Sequence, residues 1–187
     1  MSSKVINIII TFCIGGALVA GCESVNTNND MDRVMAIKKL GFKKFVHMAV
    51  VVNDVDKAAK NYAAMFGIEE PKSFMTESAE TAKTEYHGKP TKARAKLAFL
   101  KVDNMTFELI EPVGKPSTWN DALTKNGQSV HHIAFDVKGI DEQIALMESN
   151  GFKLIQQGRW TDGNGGRYAY LDTTEQLGTM LELLESF

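Results

Sequence analysis

The amino-acid sequence predicts an α+β fold in which one strand–helix–three-strand (βαβββ) unit is used twice. Four observations carry that expectation. The stretch Ser129-Val130-His131-His132-Ile133-Ala134-Phe135-Asp136-Val137 alternates with period two, so His132 shares a face with Ala134 and Asp136 while Ile133, Phe135 and Val137 line the other. A shorter counterpart, Phe45-Val46-His47-Met48-Ala49-Val50-Val51-Val52, has Met48, Val50 and Val52 as its apolar row. A constant offset of 85 residues pairs His47 with His132, Ala49 with Ala134, Val52 with Val137 and Asp56 with Asp141. Each half also ends on a strand that sets an acid among large apolar residues, Thr106-Phe107-Glu108-Leu109-Ile110-Glu111 and Met180-Leu181-Glu182-Leu183-Leu184-Glu185. Two copies are one supersecondary unit repeated, too few for a solenoid.

With 187 residues, 44% of them hydrophobic and 24% charged, the chain is long enough for one core or two fused halves. A net charge of −2 leaves no basic surface for phosphates, so no nucleic-acid partner is expected. At the N-terminus Lys4 precedes an apolar run from Val5 to Ala20, broken by Asn7, Thr11 and Gly15-Gly16. The run is shorter than the ~20 residues of a membrane span and reads as a signal peptide. It ends in Leu18-Val19-Ala20-Gly21-Cys22, which resembles the lipobox of bacterial lipoproteins. That resemblance implies a signal peptide over residues 1–21, lipidation at Cys22, and an exported protein anchored to a membrane and facing the periplasm or cell exterior. Cys13 would leave with the signal peptide, so no thiol remains for a disulfide. Residues 22–41 read as a tether: Glu23 to Asp30 is polar without apolar period, and Met31 to Leu40 forms a short helix between an Asp30 cap and Gly41.

The globular domain is expected over residues 42–187, with module one at 42–112, a linker at 113–128 and module two at 129–187. After the first histidine strand, Asp54 caps a helix in which Val55, Ala58, Ala59, Tyr62 and Phe66 recur at helical spacing up to Gly67. A weak strand is expected between Glu69 and Phe74, and Glu77 to Pro90 reads as loop. Arg94 to Val102, the turn Asp103-Asn104 and the Glu108 strand make a hairpin. In the linker, Ser117 to Asn126 carries Trp119 and Leu123 on one face of a short helix. Beyond His132, Ile140, Ile144 and Met147 line a helix ended by Gly151, and Lys153–Arg159, Arg167–Asp172 and Thr179–Glu185 supply the last three strands. The glycine-rich Asp162-Gly163-Asn164-Gly165-Gly166-Arg167 lies between strands and opens no helix. It is therefore a hairpin loop placed to border a substrate, rather than a phosphate cradle.

Repeat symmetry would bring His47, Glu108, His132 and Glu182 together. A carboxylate among Phe107, Leu109, Leu181 and Leu183 is costly to bury unpaired, and a divalent cation is the simplest partner for two of them. Two imidazoles and two carboxylates suit a borderline metal with open positions for water or substrate oxygens. Taken singly, each of these residues reads as a core or rim side chain; their repeat-equivalent positions point to a metal site. His131 faces away from His132 and is assigned to structure, with a contact behind the ligands as the alternative. His87, beside Gly88 and Pro90, reads as exposed.

The doubled unit with this histidine and glutamate arrangement resembles the vicinal oxygen chelate superfamily. Lys125-Asn126-Gly127 through His131-His132-Ile133-Ala134-Phe135, and Met180-Leu181-Glu182-Leu183, look most like methylmalonyl-CoA epimerases, with glyoxalase I more distant. The resemblance implies two βαβββ modules forming a cup-shaped mixed sheet around one divalent metal ion (zinc, nickel, cobalt, manganese or iron), ligated by His47, Glu108, His132 and Glu182. It also implies an isomerase, epimerase or lyase that stabilises an enolate next to a carbonyl of a small molecule, with Glu182, and Glu108 second, as the proton carrier. Two features depart from the epimerases. Ala93 to Val102 contains no second proton-transferring acid, and an exported domain would not be expected to meet a CoA thioester. Two other readings stay open, a lipid-anchored protein that sequesters small molecules and an interaction protein with a structural metal. Association into a homodimer is likewise open.

Overall fold

The computed structural model describes residues 40–187. The signal peptide, the lipidation site at Cys22, the helix expected from Met31 and nearly all of the tether lie outside those residues. Module one begins with β1 (Lys44–Val51) and α1 (Val55–Phe66). Asp54 accepts a hydrogen bond from the Lys57 amide at 2.9 Å, and Gly67, at φ +67°, ends the helix in the left-handed conformation that a side chain disfavours. The buried stripe Val55, Ala59 and Ala63 packs on Val50, Val52, Leu100 and Leu109. The strands β2 (Phe74–Met75), β3 (Glu85–Tyr86), β4 (Lys89–Pro90), β5 (Arg94–Val102) and β6 (Met105–Val113) follow, with the single turn α2 (Ala79–Ala82) between β2 and β3.

The linker forms α3 (Thr118–Asn126), its first turn capped by the Ser117 hydroxyl, which accepts from the Asn120 amide at 3.1 Å. Module two runs β7 (Ser129–Asp136), α4 (Ile140–Ser149), β8 (Lys153–Trp160), β9 (Gly166–Asp172), the short α5 (Thr174–Leu177) and β10 (Met180–Ser186). Ile140, Ile144 and Met147 bury against Leu171, Leu181 and Leu183, as their spacing predicts. At Gly166 a β-carbon would stand 2.6 Å from the Glu185 carbonyl oxygen and inside the Trp160 indole, so glycine lets that ring lie flat on the strand.

The described residues form one ten-stranded, curled sheet in the order β2-β5-β6-β1-β7-β10-β9-β8-β3-β4. Within each module the histidine strand lies parallel to the acid-bearing strand, β1 beside β6 and β7 beside β10. The modules meet where β1 and β7 pair antiparallel. The repeat extends to the helix ends. The Val55 amide donates to Glu111 at 2.9 Å, and the Gly139 and Ile140 amides donate to Glu185 at 2.6 and 3.0 Å. The final acid of each closing strand thus satisfies the exposed N–H groups at the start of its own module's helix.

Two sequence expectations change. The strand placed between Glu69 and Phe74 is the shorter β2, starting at the last of those residues. Glu77 to Pro90, expected as loop, holds α2 and the β3–β4 hairpin, and β3 pairs with β8 of the other module through Glu85↔Gln157 and Tyr86↔Gln156. Nothing apolar alternates in this segment; backbone hydrogen bonding to an exposed strand edge fixes it instead. The chain between β2 and β3 therefore crosses from one end of the sheet to the other. The crossing is tied down where Glu77 accepts hydrogen bonds from the Thr161 amide, at 3.2 Å, and the Thr161 hydroxyl.

Candidate metal centre

The strand order β6-β1-β7-β10 lays Glu108, His47, His132 and Glu182 on four consecutive strands. Register then selects the face. Ala49 lies opposite both Glu108 and His132, and Ala134 lies opposite both His47 and Glu182. Residues two apart on a strand share a face, so all four candidate side chains project from the same side of the sheet. The residues between them, Ala49 and Ala134, are fully buried and small enough to leave the centre to the longer side chains.

The four predicted residues meet. The two Nε2 atoms of His47 and His132 are 3.0 Å apart. Glu108 Oε2 lies 3.3 Å from each Nε2, and Glu182 Oε2 lies 3.0 Å from that of His47 and 3.1 Å from that of His132. The ligand atoms of His47, Glu108 and His132 all fall within 4.8 Å of one another, a group that does not include Glu182. The carboxylates therefore flank the histidine pair from opposite sides, as expected for acids on the two outer of four strands.

Both carboxylates are buried, and burial alone would raise their pKa. The facing imidazoles outweigh it and hold Glu108 and Glu182 below the usual carboxylate range. Burial acts against charge on His47 too, yet Glu108 and Glu182 lift it to about 10, and His132 is likewise raised. The centre thus has a negative potential that calls for a cation. A proton on either Nε2 can be met by Glu108 or Glu182, but only one hydrogen can lie on the 3.0 Å line between the two Nε2 atoms, so a metal has to displace protons to bind. Beyond the imidazole nitrogens, the buried oxygens Glu108 Oε2 and Glu182 Oε2 have no hydrogen-bond partner among the described residues. A divalent ion fits this donor set. Two nitrogens 3.0 Å apart subtend about 90° at an ion about 2.1 Å from each.

His131 takes up the alternative its sequence offered, a contact behind His132. Its ring is buried, and its Nδ1 is 2.8 Å from Nδ1 of His132. Burial, and then the charge of His132, push the His131 pKa down to about 3, so the ring is neutral and able to accept a hydrogen bond. His87 is exposed, as expected.

A cavity of about 980 Å³ lies over the centre, with His47, Glu108 and Glu182 in its wall. Its aromatic lining went unassigned in the sequence. Phe99 stands opposite Glu108 across the β5–β6 hairpin, and Tyr170 stands opposite Glu182 across β9–β10. Each ring lies against one imidazole: Phe99 is 5.9 Å from His47 and Tyr170 4.9 Å from His132, between centroids. Trp119 of α3 donates its indole N–H to the Tyr170 hydroxyl at 3.2 Å, which satisfies a buried phenol. The signal was present in the hairpin register, since the residue opposite each mid-strand acid is aromatic. The loop at Asp162 and Gly163 does border this cavity.

Matches to known proteins agree with the geometry. Over 92 residues the chain is 32% identical to the uncharacterized protein YqjC of Bacillus subtilis (strain 168), covering 49% of this chain and 66% of that relative. It is 23% identical to the mitochondrial methylmalonyl-CoA epimerase of Dictyostelium discoideum over 163 residues, covering 87% of this chain and 90% of the relative. The crystal structure of methylmalonyl-CoA epimerase from Mycobacterium tuberculosis superposes with a TM-score of 0.57 at 18% identity, over 80% of this chain and 91% of that one, and so shares the fold. Residues 46–170, from the first histidine strand to the aromatic wall of the second module, match one family model, and the chain belongs to the glyoxalase/bleomycin resistance protein/dioxygenase superfamily.

Proposed function

We propose that this protein is a divalent-metal-dependent isomerase of the epimerase type, moving a proton next to a carbonyl group of a small molecule. The observation that carries this reading is the gathering of His47, Glu108, His132 and Glu182 around the two facing Nε2 atoms, beside a large cavity. These four residues would hold the ion, which supplies Lewis-acid stabilisation of the negative charge that develops next to a carbonyl. Glu182, ionised because the two imidazoles hold its pKa down, takes and returns the proton, with Glu108 as the second candidate. Phe99, Tyr170 and Trp119 keep water from the face where charge develops, which strengthens every electrostatic interaction there.

Relatives named as methylmalonyl-CoA epimerases support the reaction type. A structural metal would sit in a closed site, whereas this centre forms part of a cavity wall, which favours catalysis over a structural role. The complete ligand set favours it over simple sequestration. We further propose that the lipobox-like Leu18 to Cys22 anchors the mature chain outside the cytoplasmic membrane.

The deciding experiment is elemental analysis of the purified protein alongside Glu108→Ala and His132→Ala. About one equivalent of a divalent transition metal in the parent, lost in both variants, is the expected result. A parent that takes up no metal after reconstitution would overturn the catalytic reading.

A further inference from the structure

The cavity also constrains what enters it. Phe74 and Met75 remain 45% and 40% exposed although they line a concavity, an arrangement that leaves apolar surface for a ligand to cover. The Phe74 ring stacks on Phe99 with centroids 6.1 Å apart and planes 23° apart, and Phe99 in turn lies against His47. Tyr170, braced by Trp119, lies against His132. Aromatic surface therefore lies against both imidazoles, and on the Phe74 side it continues outward.

Charge around the cavity does not favour a polyanion. Among the described residues its four basic side chains, Lys43, Lys44, Lys138 and Arg159, are matched in number by four acids that lie outside the centre, Glu77, Asp136, Asp162 and Glu185. A nucleotide-linked carrier brings several phosphate charges and wants an unopposed basic cradle or a glycine-rich helix start. The glycine-rich loop at Gly163 begins no helix.

We propose that the substrate is a ring-bearing, apolar carbonyl compound that carries no polyphosphate group. Its flat body packs on the tier of Phe74 and Phe99. This inference rests on the metal-dependent reading of the function and adds the substrate's body to it.

Two hydroxamates test it, because acetohydroxamate and benzohydroxamate chelate through the same pair of oxygens and differ only in body. Their affinities for the zinc-loaded protein, and that of free coenzyme A, are measured by calorimetry for the parent and Phe74→Ala. Benzohydroxamate is expected to bind at least ~10-fold more tightly than acetohydroxamate, the return on covering one ring. Phe74→Ala should shrink that ratio while leaving acetohydroxamate unchanged, and coenzyme A should not compete with either probe. Equal affinity for the two hydroxamates, or competition by coenzyme A, would overturn the substrate class and leave the metal reading standing. If neither hydroxamate binds, the metal reading fails, and the substrate proposal with it. Thermal melts of Phe74→Ala guard against misfolding, and its half-exposed position predicts little change.

Discussion

Replacing His131 by leucine changes no candidate ligand, keeps most of the side-chain volume and removes one hydrogen bond. That bond, 2.8 Å between the two Nδ1 atoms, decides where the proton of His132 resides. For His132 to offer its Nε2 lone pair, its proton must sit on Nδ1, and His131 must accept it. Leucine cannot accept. Loss of such a bond behind a ligating histidine weakens metal binding about 10–100-fold, equivalent to about 1.4–2.8 kcal/mol. An independent route gives the same range, since a buried donor left without a partner costs about 1–3 kcal/mol. The two figures describe one bond and are not added. Zinc affinity by chelator competition should therefore fall 10–100-fold in His131→Leu. A merely structural histidine would lower the melting temperature of the metal-free protein and leave zinc affinity untouched. Nitrogen-15 spectra of the imidazoles should place the His132 proton on Nδ1 in the zinc-loaded parent. Unchanged affinity in a folded His131→Leu variant, or a proton on Nε2 of His132, would refute the argument.

Two further outcomes are expected. Without metal, His47 titrates near 10 instead of 6.5, so its contribution to stability is complete below pH 6.5 and is lost as pH rises through 10. Glu108 and Glu182, both held below the ordinary 4.5, contribute above that pH and lose it on acidification. Because metal must displace the proton on His47, the melting-temperature gain from added zinc should grow between about pH 6 and pH 9, and a flat gain in thermal melts would contradict the arrangement. Lipid labelling of the protein made in bacterial cells should disappear in Cys22→Ser, and persistent labelling, or none in the parent, would remove the proposed anchor.

The centre was legible because its signal is periodic. Alternation sets the faces of the two histidine strands, and the offset of 85 residues pairs the histidines, so that four residues scattered over the chain are gathered by pattern alone. The two module helices were legible for a similar reason, since Asp54, Gly67 and the spacing of Ile140, Ile144 and Met147 are local signals. For His131 the same rule points first to a structural role and leaves the contact with His132 as the alternative. Adjacent residues point to opposite faces, yet the histidine rings are long enough for their Nδ1 atoms to meet at 2.8 Å. Alternation describes the direction of the β-carbon and says little about where a ring nitrogen ends.

The segment from Glu77 to Pro90 shows a different limit. Its pairing with β8 joins residues about 70 apart in the chain, such as Glu85 with Gln157, through main-chain hydrogen bonds that any side chain permits. Thr76, Glu77, Ala82 and Thr84 on this crossing face the cavity. The crossing is therefore part of the site, although no residue in it carries the repeat pattern. Each module supplies two candidate ligands to the centre by symmetry, and this one asymmetric crossing of the first module reaches the edge of the second. Symmetry in the sequence thus locates the chemistry, whereas the shape of the space around it depends on a segment where the symmetry is broken. That division explains why the proposed metal ligands are readable from the sequence and the proposed apolar body of the substrate only from the fold.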